Sequence, residues 1–484
     1  MDATTNAAVL ARRWRHAFAD VHTLSFQQEE AMDPYDLDDS YWSNMDQDRN
    51  SDFVALVNAA LSCRRRCTGG AAAGEGRDPC LRAFRVAFDS FHHSLAGDVD
   101  RWLAVAARGG GAEEIQIDAR RLGQPACACG SLRRAWETND GDGDDAGDFP
   151  NPRSWAYHAP RWLYSSGVRT LCLGSCFLDL PAAGAGAVVH LPRVETLTLR
   201  WIRDSGDDIQ RLVSACPRLA DLTLDSCRRV RALAVVGAPR LRRLAVRCCR
   251  GARLTVDAPE LRALEYRGAV PGDSALSFVG SPPTILSCDI ELCGEAPSSS
   301  DQAKFADLTR FLERFAGGRR LRLGSSRLGS GIERSDSGFP ASPSLGKLEL
   351  RGALTSSSAI DAVLKILRRA PNLEVLTLLI LPDAQEQRCD QPPPVSFDRK
   401  AALGVVAGEL PVIPCLRDRV REINVVHYQG RVAQRALLRL LLGAAAALEE
   451  LCVVLPKGKY AVQAMLMGEI ESWVINRSVK VMFG

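Results

Sequence analysis

An α/β chain of repeated strands stacked into a solenoid is the fold class that the sequence predicts, and three observations predict it. Apolar residues recur with the spacing L-x-x-L-x-L, as in "CPRLADLTLDSC" (residues 216–227), where Leu219, Leu222 and Leu224 carry the pattern. The pattern returns at short steps: its last anchors at 173, 199, 224, 246 and 266 are 26, 25, 22 and 20 residues apart. Segments of helical spacing lie between many of these motifs. Alternation with period two marks strands and a period near 3.6 marks helices, so each repeat reads as a strand followed by a helix or a shorter connection. Steps of this length are those of leucine-rich repeats, whose units bury their apolar faces only by stacking on one another.

Taken along the chain, the elements follow from local pattern. "AAVLARRWRHAFADVHTLSF" sets Leu10, Trp14, Phe18 and Val21 along one helical stripe, with Arg12, Arg13 and Arg15 mostly outside it. Behind a Ser51 cap, Phe53, Leu56, Val57, Ala60 and Leu61 share a helix face. Leu81, Phe84 and Val86 read as a strand. The helical set Val99, Trp102, Leu103 and Ala106 stops at a glycine run, and a short strand with Ile115 and Ile117 follows. An acidic insertion occupies 138–150. Strand motifs then come at Val168-Leu171-Leu173, Val194-Leu197-Leu199, Leu219-Leu222-Leu224, Leu241-Leu244-Val246 and Leu261-Leu264-Tyr266. The two shortest steps leave little room for a helix, so loops are expected on the outer side there, giving an irregular horseshoe. Residues 324–344, rich in Ser and Gly, read as a flexible loop. Further motifs are Leu345-Leu348-Leu350, Leu373-Leu376-Leu378, Val420-Ile423-Val425 and Leu448-Leu451-Val453, with a helix carrying Ile360, Val363, Leu364 and Leu367 among them.

Whole-chain numbers narrow the function classes. The 484 residues are 46% hydrophobic and 25% charged, enough to bury a large core in several domains or one long repeat array. A net charge of +3 is too small to imply a nucleic-acid partner. The start of the chain lacks the order of a signal peptide, and the greasiest stretch, "ALLRLLLGAAAALEELCVVL", is broken by Arg439, Glu449 and Glu450, so no membrane partner is expected. The expected location is cytoplasm or nucleus, where the 16 cysteines stay reduced.

No catalytic, cofactor-binding or metal-binding residue is expected. Cys176, Cys227, Cys249 and Cys293 each stand three residues past a last anchor, the place where a small side chain turns inward and satisfies backbone groups as the chain leaves a strand. Their fixed offset makes them parts of a frame. No phosphate loop is present, since Lys347 and Lys459 follow glycines but precede Leu348 and Tyr460. In "NDGDGDDAGD", Asp140, Asp142 and Asp144 have calcium-loop spacing, but Asp145 replaces the needed glycine and Asn151 the closing glutamate. Cys127 and Cys129 lack a second pair at metal spacing.

The N-terminal stripe, through Val9, Leu10, Arg12, Arg13, Trp14, Arg15, His16 and Phe18 and then Leu24 and Phe26, resembles the last helix of a plant F-box. "CLRDRVREINVVHYQGRVAQRALLRLLLGAAAALEELCVVLPKG" and "MLMGEIESWVINRS" look like the FBD region that follows leucine-rich repeats in many plant proteins. The chain therefore resembles the plant F-box/LRR/FBD family. That resemblance implies an F-box remnant at 1–26, repeats at 51–380 and an FBD-like α/β end at 400–484. It implies the substrate-recognition subunit of an SCF-type cullin-RING ubiquitin ligase, binding a protein substrate on the repeats and a Skp-type adaptor, with its cullin, through Leu10, Trp14 and Phe18. The leading F-box segment, "D-x-I-x-x-L-P-D-x-L-L", is not in the sequence, so weak adaptor binding or none is expected. The alternative is an LRR scaffold that binds a partner without recruiting a ligase.

Within each motif the anchors point inward and the intervening residues point outward. Asp221, Thr223 and Asp225 are thus expected outside, followed by Arg243, Ala245 and Arg247 and then Ala263, Glu265 and Arg267. Asp221 should face Arg243, and Asp225 should sit between Arg200 and Arg247. Nine arginines and no acid lie between Arg228 and Arg253. Arg200, Asp221, Asp225, Arg243, Arg247, Glu265 and Arg267 are the candidate substrate-facing residues.

Overall fold

A computed structural model describes residues 21–28, 39–68, 81–89, 95–109, 111–120, 156–181, 189–249, 251–280, 283–293, 302–329, 332, 338–354, 357–382, 413–457, 460–476 and 478–484. They fall into two compact units. One takes in the described residues up to Leu241 together with Cys249 and 251–258, and the other takes Arg242–Cys248 and the described residues from Pro259 onward. The stripe of Leu10, Trp14 and Phe18, the acidic insertion at 138–150 and Cys127 and Cys129 lie outside the described residues.

In the first unit, β1 (Thr23–Gln27), β2 (Ala83–Asp89), β3 (Glu114–Arg120), β4 (Thr170–Gly174), β5 (Thr196–Arg200) and β6 (Asp221–Asp225) pair side by side, all parallel. Their anchors form two columns in register, Phe84-Ile115-Leu171-Leu197-Leu222 and Val86-Ile117-Leu173-Leu199-Leu224. Every member is at most 1% exposed. Removal of each such side chain from water contributes roughly 1.5–3 kcal/mol, which locks the register because a one-residue slip would turn a whole column outward.

Helix α1 (Asp39–Thr68) starts twelve residues before Ser51, which lies exposed within it, so Ser51 is not the cap that local pattern suggests. The helix continues through Ser51 because no breaker interrupts it. Phe53, Val57 and Leu61 are buried as expected, while Leu56 is exposed. Phe53 meets Trp102 of α2 (Ala96–Ala104) edge to face at 5.9 Å, and the indole N–H donates to Asn58 at 2.8 Å.

Helix α3 (Gly206–Ser214) begins at Ser205, whose hydroxyl accepts from the Asp208 amide, and Asp207 and Asp208 complement the positive end of its dipole. It buries Ile209, Leu212 and Val213. Gln210 pairs its amide with both backbone groups of Ala234 in β7 (Ala232–Val235), at 2.8 and 2.7 Å. Strand β8 (Arg243–Arg247) belongs to the second unit, and β9 (Arg253–Val256) pairs in parallel with β7. The short steps were expected to be filled by loops. Strands fill them instead, because Leu233 and Val235, and Leu254 and Val256, alternate with outward residues and bury one side.

In the second unit, β8 is joined by β10 (Ala263–Gly268), with β11 (Leu276–Phe278) a short strand after it. The parallel pairing continues through β12 (Ser287–Leu292), β13 (Arg320–Arg327), β14 (Lys347–Ala353), β15 (Val375–Leu381), β16 (Glu422–Val426), β17 (Glu450–Val454) and β18 (Lys480–Phe483). Column by column, Leu244-Leu264-Cys288-Leu321-Leu348-Leu376-Ile423-Leu451 is buried. Helices α4 (Gln302–Glu313), α5 (Ser357–Arg368), α6 (Pro414–Asp418), α7 (Val432–Ala444) and α8 (Tyr460–Trp473) separate the later strands. Among the described residues no helix is long and apolar enough to cross a membrane.

Residues 324–327, expected as the start of a flexible loop, complete β13. The strand continues because Leu321 and Leu323 hold it in the core, and it ends in a register shift between Gly324 and Arg327. Ser325 stabilises the shift, its hydroxyl donating to the Arg327 carbonyl and accepting from the Arg327 amide.

A shared turn follows the strands. Ser175, Trp201, Ser226, Cys248 and His427, each two residues past a last anchor, have φ of 56°, 53°, 57°, 52° and 63°. This left-handed backbone costs a non-glycine residue roughly 1–2 kcal/mol. It persists because the turn directs an amide at the next strand: Ser175 donates to the Arg200 carbonyl at 2.8 Å, Trp201 to Asp225 at 2.8 Å and Cys248 to Arg267 at 2.5 Å.

Candidate functional site

Since the anchors are buried, the intervening strand residues form rows on the opposite side of each sheet. In the first unit one row runs Asp118, Gly174, Arg200, Asp225. Arg200 lies between two carboxylates, 3.9 Å from Asp118 and 3.8 Å from Asp225. Asp225 is only 9% exposed and accepts a hydrogen bond from the Ser226 hydroxyl at 2.9 Å. Alternation alone places Asp225 on an open surface. The left-handed turn at Ser226 folds the chain back beside it and withdraws it. Asp221 is half-buried.

In the second unit the row Glu265-Asp289-Arg322-Glu349 lies beside the row Arg247-Arg267-Glu291-Gly324-Arg351. Arg243 and Arg247 were expected opposite Asp221 and Asp225, yet both turn to Glu265. Arg243 Nη2 donates to it at 3.1 Å, and Arg247 donates through Nε at 2.5 Å and Nη2 at 2.9 Å. Glu265 stands in register with Ala245, so the two longer side chains on either side of Ala245 converge on its carboxylate from both diagonals. Burial raises the Glu265 pKa, but the hydrogen bonds and positive charge of Arg247 and then Arg243 outweigh it, and the carboxyl is held below its ordinary value. Arg322 bridges Asp289 at 3.0 Å and Glu349 at 2.9 Å. Arg267 and Arg351 each approach Glu291 at 3.7 Å.

Arg243, Arg247, Glu265 and Arg267, proposed from the sequence, therefore come together, while Arg200 and Asp225 form a separate group in the other unit. Sequence reasoning missed Asp289, Glu291, Arg322, Glu349 and Arg351. In β12 Ile290 is legible as the anchor before Cys293, but Cys288 stands where the template asks for leucine, and β13 has Gly318 where its first anchor should be, so the outward residues of neither strand were read. The usable signal was strict alternation in "SCDIEL" and "RLRLG".

Two of the four turn cysteines are seen doing what their offset implies. Cys227 is fully buried and donates to the carbonyl of Leu199 at 3.5 Å; Cys249 reaches that of Leu224 at 3.7 Å. Each acceptor is the last anchor of the preceding L-x-x-L-x-L motif. Burial raises the thiols of Cys176, Cys216 and Cys415, the last two to about 12 and about 11, which disfavours the reactive thiolate. Among the described residues no group of three or more His, Cys, Asp or Glu side chains is placed to hold a metal ion.

Residues 148–278 match the family model described as FBD-associated F-box protein At5g56370, LRR repeats. The match spans β4 to β11 and is consistent with the resemblance to plant F-box/LRR/FBD proteins. It points to a protein-interaction module rather than an enzyme. No curated protein matches the chain.

Proposed function

We propose that this chain is the substrate-recognition subunit of an SCF-type cullin-RING ubiquitin ligase acting in the cytoplasm or nucleus. In this reading the repeats wind as a horseshoe solenoid, residues 1–26 close an F-box that meets a Skp-type adaptor through Leu10, Trp14 and Phe18, and residues 400–484 form the FBD region. The protein substrate lies across the outward rows of the strands. The match of residues 148–278 to repeats of an FBD-associated F-box protein is the observation that carries it. A second support is chemical: the rows of the second unit offer rigid guanidinium and carboxylate groups on a parallel sheet, an arrangement suited to reading a charged protein surface.

The test is affinity capture with the tagged 484-residue chain, followed by mass spectrometry and by ubiquitination of captured proteins with added adaptor and cullin. Adaptor capture, weak and lost in Trp14→Ala/Phe18→Ala, together with ubiquitination of a captured protein, is the expected result. A protein held by the repeats with no adaptor and no ubiquitination would replace the ligase reading with that of an interaction scaffold.

A further inference from the structure

The outward rows of the second unit contain a gap. Gly324 on β13 stands in register between Glu291 and Arg351, at a place where any other residue would project a side chain. Its backbone is not left-handed, and a Cβ there would meet nothing nearer than Glu291 Cγ at 3.5 Å, so neither conformation nor crowding demands glycine. Gly174, also one residue past a last anchor, is different: Asp118 Oδ1 lies 2.8 Å from where its Cβ would be, and the space is taken. Over Gly324 the space is open, a cavity of about 120 Å³ walled by the arginines Arg267, Arg322 and Arg351 and the acids Glu265, Asp289 and Glu291. Drug-sized ligands and cofactors need roughly 300–1,000 Å³, so this one suits the end of a single side chain.

The walls specify its charge. Arg322 is committed to Asp289 and Glu349 at hydrogen-bond distance. Glu291 is shared between Arg267 and Arg351 at 3.7 Å from each, too far for a hydrogen bond. The Arg351 side chain has no hydrogen bond among the described residues; its Nε is buried without an acceptor, and the side chain is 40% exposed at the cavity. An arginine with its donors unused is the group that a carboxylate fits best. A dianionic phosphate suits the cavity less well, because Glu265, Asp289 and Glu291 already line it.

We propose that the gap over Gly324 is a subsite for one carboxylate side chain, Asp or Glu, of a protein partner, with Arg351 as its principal ligand. This rests on the recognition reading above and specifies its chemistry. The test uses the full chain and a fluorescently labelled tetraglutamate peptide, followed by anisotropy at low ionic strength. Saturable binding is expected, weakened at least about tenfold by Arg351→Gln and by Gly324→Val, with thermal midpoints unchanged. Valine is compatible with an outward strand position and fills the cavity. Arg368→Gln, at an exposed arginine on α5, should leave binding as it was, and a tetraphosphoserine peptide should bind more weakly. Absence of saturable binding, full binding by Gly324→Val or Arg351→Gln, equal loss in Arg368→Gln, or tighter phosphoserine binding would each overturn the subsite. A captured partner that survives both cavity substitutions would overturn the subsite and leave the recognition reading intact. Peptide binding lost in both variants, with no partner captured from cells, would do the reverse.

Discussion

Arg247 and Glu265 meet fork to fork across neighbouring strands, guanidinium Nε and Nη2 donating to the two carboxylate oxygens at 2.5 and 2.9 Å. The pair has geometry that most surface ion pairs lack, and Arg243 adds a third hydrogen bond at 3.1 Å. Such a planar, two-point contact holds the strand face rigid as well as neutralising it.

Charge reversal at these arginines therefore disturbs the fold's own contacts. Arg243→Glu/Arg247→Glu places three carboxylates together and should lower stability by about 1–3 kcal/mol in urea unfolding. Adding Glu265→Arg should recover most of the loss. If the triple variant is no more stable than the double, Glu265 is not the partner of these arginines.

Glu265 also gives stability a pH dependence of known sign. Its folded pKa lies below the ordinary value of 4.5, so its contribution is complete above about pH 4.5 and is lost as pH falls through the lowered folded value. Glu265→Gln should be less stable than the parent at pH 7, and the difference should shrink towards pH 3. A difference that is constant with pH would mean that packing, not charge, is lost.

Two glycines should respond very differently to alanine. At Gly352, opposite the register shift in β13, a Cβ would press against the Arg327 carbonyl carbon and the Leu328 nitrogen, which are backbone atoms and cannot swing aside. Gly352→Ala should cost about 3 kcal/mol in urea unfolding. At Gly174 the obstacle is the Asp118 carboxylate, which can rotate at the expense of its approach to Arg200, and Gly174→Ala should cost about 1 kcal/mol.

At Cys227, volume and charge separate cleanly. The thiol is sealed in and points at the Leu199 carbonyl, so Cys227→Asn can still donate there, whereas Cys227→Asp buries a charge without a cation. The Asp variant should lose about 3 kcal/mol or more and the Asn variant about 1 kcal/mol, by thermal or urea melts. Equal losses would show that volume alone decides at this site.

The left-handed turn can be probed at Ser175, whose φ is 56°. Ser175→Val should be about 1–2 kcal/mol less stable than Ser175→Gly, since a β-branched side chain tolerates this backbone poorly. Equal melting of the two variants would mean that the turn relaxes to another conformation.

The nine anchor motifs legible in the sequence all became strands, because an apolar residue at every second position has one way to leave water and that way fixes both strand and face. The inward cysteines were legible for a related reason: a residue at constant offset from a buried strand keeps the same surroundings in each repeat. Strands β7, β9 and β13 escaped notice and β12 was legible only through Ile290; in β12 and β13 Cys288 and Gly318 break the template although the neighbouring strands bury those positions just as well. Which acid each arginine would take was decided only in three dimensions. Arg243 is equally spaced from candidates before and after it in the chain, and the choice of Glu265 depends on Ala245 leaving room for two side chains to converge. The opening over Gly324 depends likewise on what Glu291 and Arg351 do on adjacent strands, and a lone glycine in "RLRLGSSR" carries no trace of that.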